Sequence, residues 1–120
     1  MTYEDMKNML MTVDDPAMRL EILMDFGRIL EPVPDGAECH EIVGCTSFVQ
    51  ICRLGNRFYG VADSAMVRGI VAVFIAMVDG KTSEQIKQMD LVGEFSSLKL
   101  NLGAGRLNGV NSMIRFFQNL

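Results

Sequence analysis

Few residues in this chain have chemistry to offer, and the first is a thiol. Cys45 sits in the small-residue stretch Gly44-Cys45-Thr46-Ser47, between Glu41-Ile42-Val43 upstream and Phe48-Val49-Gln50-Ile51-Cys52-Arg53 downstream. Both flanks read as strand, being rich in β-branched and aromatic residues, so Cys45 falls where one strand turns into the next. A turn exposes what a strand would bury. The thiolate is the nucleophilic form of cysteine, and loop N–H groups or a nearby cation can bring its pKa from about 8.5 toward neutrality. The chemistry to expect is attack by sulfur from a reactive-cysteine loop. Taken alone, the tetrapeptide also describes a structural turn with an inert cysteine.

Cys39, His40, Cys45 and Cys52 are residue types that bind zinc or iron–sulfur clusters. Their spacing is wrong for a metal knuckle: there is no C-x-x-C pair, and Cys39 and His40, adjacent on a strand, point to opposite faces. No metal is expected. His40 is the only histidine; no spacing sets it beside Cys45 as a base, and it reads as a surface strand residue. Cys52 reads as a free cysteine packed in the interior. Gly103-Ala104-Gly105 does not follow a strand and lacks a third glycine, so no phosphate loop is present. No Ser-His-Asp arrangement can be assembled around the one histidine.

The elements that must position Cys45 follow from periodicity and punctuation. Tyr3, Met6, Met9, Leu10 and Val13 have helical spacing over Thr2 to Val13. Asp15 before Pro16 marks the start of a second helix, Asp as N-cap and Pro at the first helical position. Its stripe is Met18, Ile22, Leu23, Phe26, Ile29 and Leu30, and Pro32 and Pro34 stop it. Strands are expected over Glu38–Val43, Ser47–Leu54 and Arg57–Ala62, with Gly55-Asn56 turning the last two into a hairpin. Ile42, Val49, Ile51, Phe58 and Val61 are the candidates for the sheet face packed on helices. Ser64 to Val78 is apolar nearly all round and is expected to be the buried central helix, with Ile70, Val71, Phe74 and Ile75 deepest. Asp79-Gly80 ends it. Thr82 and Gln85 make a capping box for a short helix to about Met89. A further short helix is expected near Leu91 to Leu98. The last runs from about Arg106 to Gln118, with Leu107, Val110, Met113, Ile114 and Phe117 on one face.

These pieces amount to one domain over residues 1–120, of α+β class: a three-stranded antiparallel sheet packed against a helical layer. At 120 residues and 49% hydrophobic, the chain can bury a continuous core. A net charge of −4 argues against nucleic-acid and anionic-membrane surfaces, which need clustered cations. The longest apolar stretch, Gly69 to Val78, is about half the length that spans a bilayer. Three cysteines and no signal peptide at the amino end point to a reducing, cytoplasmic setting with free thiols and no disulfide framework. Ten methionines serve as core filler or as an adaptable binding surface.

Four blocks in order resemble the SufE family of sulfur acceptors, the partners of SufS-type cysteine desulfurases in iron–sulfur cluster assembly. Gly44-Cys45-Thr46-Ser47-Phe48-Val49 resembles the family's G-C-Q-S-x-V-W, and Ala62-Asp63-Ser64-Ala65-Met66-Val67-Arg68-Gly69 its D-A-x-I-V-[KR]-G. Gly80-Lys81-Thr82-Ser83-Glu84-Gln85-Ile86 resembles G-x-T-x-E-x-I, and Arg106-Leu107-Asn108-Gly109-Val110 resembles S-R-x-N-G-L. Weaker similarity begins at Arg19 and Phe26-Gly27-Arg28. The chain departs from the pattern with Thr46 for Gln, Gln50 for Trp, Asn101 for the His of many members, and Gly103-Ala104-Gly105 where a T/S-P-S helix start is common.

The resemblance implies an IscU-like sandwich fold and makes Cys45 the acceptor cysteine. Cys45 would take persulfide sulfur from the desulfurase and relay it toward an iron–sulfur scaffold, and the chain would stimulate the desulfurase. The pyridoxal phosphate would belong to the partner, and this chain would carry no cofactor. Arg106, Thr46, Ser47 and Asp63 are candidates for shielding the persulfide or holding the loop, Asp63 by capping the central helix. Arg106 reads either as a surface cation or as a charge that stabilises a thiolate or persulfide. Phe48, Arg68 and Asn108 are candidates for meeting the partner. Two rival readings are a desulfurase-binding modulator that carries no sulfur and a metal or cluster scaffold, which the ligand spacing disfavours.

Overall fold

The computed structural model describes residues 1–120. Strands β1 (Glu38–Glu41), β2 (Val49–Leu54) and β3 (Arg57–Ala62) form one antiparallel sheet in the order β1-β2-β3. Directly opposed residues of an antiparallel pair share a face. One face therefore carries His40, Ile51 and Gly60 in one row, with Val49, Phe58 and Ala62 beside them. The helices cover this face. Helix α3 (Ala65–Val78) lies against β3 on one side and against α2 (Pro16–Phe26) on the other. Helix α6 (Ala104–Gln118) reaches the same face, where Phe117 meets Phe58 edge-on with ring centroids 5.8 Å apart. Helices α1 (Tyr3–Met11), α4 (Ser83–Lys87) and α5 (Leu91–Ser97) complete the helical layer of an α+β fold.

Local chemistry accounts for most of the element boundaries. Thr2 and Asp5 form a reciprocal capping box on α1, and Thr82 and Gln85 form one on α4. Asp15 caps α2, with Pro16 at the first position. The sequence carries that helix on to Leu30, but it ends at Phe26 in a single 3₁₀ turn, Gly27–Ile29. Asp79 ties the end of α3 to the start of β3: its carboxylate accepts from the Phe58 N–H at 3.0 Å and from the Arg57 guanidinium. Tyr3 donates its hydroxyl to Glu94 at 2.6 Å and Lys7 pairs with the same carboxylate, which fastens α1 to α5.

Several expectations are corrected. Val61 is exposed at 38%, because β3 turns Phe58, Gly60 and Ala62 toward the helices and Val61 the other way. Ile75 is only partly buried, at the rim of a cleft, whereas Ile70, Val71 and Phe74 are at most 1% exposed. The cap of α3 is Ser64, whose hydroxyl accepts from the Val67 N–H; the Asp63 side chain is exposed and makes no hydrogen bond. Cys39 and Cys52 are not free thiols. They oppose each other in the β1–β2 register and form a disulfide on the sheet face turned away from the helices. The inference of a reducing compartment from free cysteines loses its footing with them.

Candidate functional site

Residues 42–48 link β1 to β2, and both strands stop short of the bounds expected from sequence. The last rung is the Ile42 N–H donating to the Val49 carbonyl at 2.8 Å. At the loop's exit, the Asp63 N–H donates to the Phe48 carbonyl, joining the loop to the β3–α3 junction. Gly44 has φ +98°, a backbone state that a side chain rarely adopts, and this kink turns Cys45 down onto α6.

The fit between loop and helix depends on missing side chains. A Cβ on Gly109 would lie 3.2 Å from the Cys45 sulfur, so the thiol rests on the helix backbone, with Sγ 3.9 Å from the Gly109 carbonyl oxygen. A Cβ on Gly44 would lie 2.5 Å from the Ser112 hydroxyl. Ser112 is the one buried polar residue of the chain. Its hydroxyl donates to the Asn108 carbonyl at 3.0 Å and accepts from the Arg115 guanidinium at 3.2 Å, which holds its rotamer.

Cys45 is half-buried and is the only free cysteine. Val67 and Ile70 of α3 and Met113 of α6 form the apolar wall of its niche, with Thr46 and Ser47 on the loop side and Arg106 at the rim. The open space is about 10 Å³, close to what one water-sized sphere occupies. The thiol therefore lies against protein, with little free space beside it. Burial pushes the Cys45 thiol above its ordinary pKa, opposite to the lowered value expected from a loop thiol. The physical reason is that the apolar wall removes water from the thiolate. Desolvation is the one cause acting on the thiol, and the Arg106 guanidinium donates to the Leu102 carbonyl at 3.5 Å. Desolvation of this kind disfavours the thiolate, the nucleophilic form, while the sulfur stays in the niche.

Of the residues singled out by sequence, Cys45, Thr46, Ser47 and Arg106 come together at the niche. Phe48, 37% exposed, lies at the loop's exit. Asn108 is exposed one residue before Gly109 and takes part through its carbonyl. Asp63 joins through its backbone alone. Arg68 lines a separate groove with Glu21, Asp25 and Arg28. Sequence reasoning passed over Val67, Ile70, Met113 and Ser112, whose apolar spacing or small size reads only as packing. Gly109 did carry a signal: a glycine inside a helix, where it weakens the helix, calls for a close contact.

Elsewhere, His40 pairs with Glu38 at 3.2 Å and packs on Phe116, outside the niche. No group of three or more His, Cys, Asp or Glu side chains is placed to hold a metal ion. A wider cleft of about 370 Å³ is walled by Leu30, Phe58 and Ile75; no cysteine lines it, and Arg57 at its rim is engaged by Asp79 and Glu31.

Comparison with known proteins identifies the family. Residues 4–120 match the family model described as SufE, Fe-S metabolism associated domain. The sulfur acceptor protein CsdE of Escherichia coli is 28% identical over 121 residues, covering 93% of this chain and 82% of its own. A SufE-like protein of Synechocystis is 30% identical over 112 residues, covering 87% of this chain and 70% of its own. A SufE-like protein of Rhizobium meliloti is 29% identical over 115 residues, with 86% and 82% covered. In three dimensions, the solution structure of a hypothetical protein from Thermus thermophilus superposes with a TM-score of 0.69 at 16% identity, over 99% of this chain and 94% of that one; this likeness bears on the fold. With a family model spanning nearly its whole length, the chain belongs to the SufE family.

Proposed function

We propose that this protein accepts sulfur from a cysteine desulfurase of the SufS type onto Cys45 and relays it to a scaffold on which iron–sulfur clusters are built, stimulating the desulfurase by removing its product. The observation that carries this reading is the free thiol of Cys45, half-buried in the β1–β2 loop against α3 and α6. Membership of a family that includes a named sulfur acceptor supports it. In the transfer step, the Cys45 thiolate attacks the terminal sulfur of the donor's cysteine persulfide. A sulfur–sulfur bond forms at Cys45 as the donor's breaks, and the donor cysteine leaves as a thiolate. Sulfane sulfur changes hands with no net oxidation, so no resident cofactor is proposed; the pyridoxal phosphate belongs to the desulfurase.

Leaving the niche exposes Cys45 for attack, and returning to it would shelter the persulfide from stray thiols and oxidants. Thr46, Ser47 and Arg106 form the shelter's walls and rim in this proposal, and Asp63 steadies the loop's exit through its backbone. Phe48, Arg68 and Asn108, all exposed, are the proposed partner-facing residues. The cytoplasm is the proposed place of action, on the strength of the desulfurase partnership. The test is the intact mass after incubation with a desulfurase and cysteine. A species heavier by one sulfur atom is expected, lost on reduction and absent in Cys45→Ser. Undiminished stimulation of the desulfurase by Cys45→Ser would favour a modulator that carries no sulfur.

A further inference from the structure

We infer that Gly109 and Ser112 of α6 form a latch that holds the Cys45 loop closed, and that this latch, built from absent or small side chains, sets how often the thiol is available to an electrophile. Gly109 and Ser112 are positioning residues: neither is a nucleophile or a base, and both act through the loop. The inference deepens the sulfur-acceptor reading and rests on it for its biological meaning, although the latch itself is a property of the fold.

Two contacts carry it. Cys45 lies on Gly109, where any side chain would begin 3.2 Å from the sulfur. Gly44 lies on Ser112, whose hydroxyl would be 2.5 Å from any side chain added there. The contacts interlock, a helix glycine under a loop side chain and a loop glycine over a helix side chain, so added bulk at either contact pushes the loop off its seat. Gly109 is not among the glycines with positive φ. Its backbone is ordinary helix, so no turn requires a glycine there, and an alanine would be the better helix former. What the missing Cβ provides is the seat for the sulfur. Ser112 is held in place from two sides by Asn108 and Arg115, so its hydroxyl presents a fixed surface to Gly44.

A side chain at either position therefore shifts the loop toward its open state without unfolding the helix. The experiment measures the rate of Cys45 alkylation by iodoacetamide in the parent, Gly109→Ala, Ser112→Val and Asn111→Ala. The last variant changes an exposed residue of the same helix and controls for altered helix propensity. Gly109→Ala is expected to react on the order of tenfold faster, because a modest shift in an open–closed equilibrium carries through in full to the reactive population. Its melting temperature should equal or exceed the parent's, which separates an opened loop from a loosened fold. A rise in at least one of Gly109→Ala and Ser112→Val, in a variant that still melts cooperatively, with none in Asn111→Ala, supports the latch. No rise in either, or an equal rise in Asn111→Ala, overturns it.

Alkylation requires no desulfurase, so its outcome is independent of the sulfur-acceptor reading. The same variants are then incubated with desulfurase and cysteine, and the persulfide that forms is challenged with dithiothreitol. Faster loss of sulfur from Gly109→Ala than from the parent is expected. Faster alkylation with no sulfur loaded on any variant would leave the latch standing and remove the acceptor reading.

Discussion

At the scale of single residues, the decisive fact is that the only free thiol is desolvated, which raises its pKa. Its niche offers an apolar wall with Arg106 as the one charged side chain along it, and desolvation is what acts on the thiol. The folded chain holds the Cys45 proton more tightly than the unfolded chain does. Stability from this source is thus fully present below the unfolded cysteine value of about 8.5 and is lost as pH rises through the higher folded value. The expected alkylation profile keeps climbing past the pH at which a free cysteine levels off, and in urea its midpoint returns to about 8.5. A folded-state midpoint at or below that of a free cysteine would contradict the desolvated niche.

At the scale of elements, the Cys45 loop is suspended between two strands that are themselves joined by the Cys39–Cys52 bridge. Hydrogen bonds hold β1 along one edge only, and the strand is short, so the covalent link strengthens a pairing that would otherwise fray. Closing a loop over a sequence separation of 13 is worth about 3 kcal/mol by the entropy it removes from the unfolded chain. Reduction should lower the unfolding free energy by about that amount in urea titrations read by circular dichroism. The thiol count under denaturing conditions should rise from one to three. A count of three before any reductant is added would show that the bridge does not form under those conditions.

At the scale of the molecule, the site rests on one core shared by the sheet, α3 and α6. Phe74 is its centre: fully buried, stacked on Phe95 at 5.0 Å and tilted against Phe117 at 6.0 Å, which in turn meets Phe58 of the sheet. The same two helices supply the niche wall, through Val67 and Ile70 on α3 and Met113 on α6, so a disturbed core is felt at Cys45. Phe74→Ala should cost about 3–5 kcal/mol in equilibrium unfolding, a large share of what a domain of this size possesses. A loss below about 1 kcal/mol would mean that the neighbouring rings close over the cavity.

The sequence by itself determined whatever depends on residues a few positions apart. Asp15-Pro16 and the Thr82 box start their helices because the cap and the N–H groups it satisfies lie within three residues. β3 begins and ends at Arg57 and Ala62 as its punctuation demands, and the Cys45 loop announces itself by small residues between strand formers. Even locally there is a limit: Asp63 and Ser64 are both good caps, and only the backbone's direction on leaving β3 selects Ser64. The tertiary structure alone decided what depends on residues brought together from afar. Whether Cys39 faces Cys52 turns on strand register, which the length of the intervening loop sets and no spacing rule reveals. Likewise, the seat of Cys45 on Gly109, 64 residues away, exists only once α6 has packed on the sheet. A thiol's pKa follows the water around it, and that water is removed by α3 and α6, which local sequence does not place beside the loop.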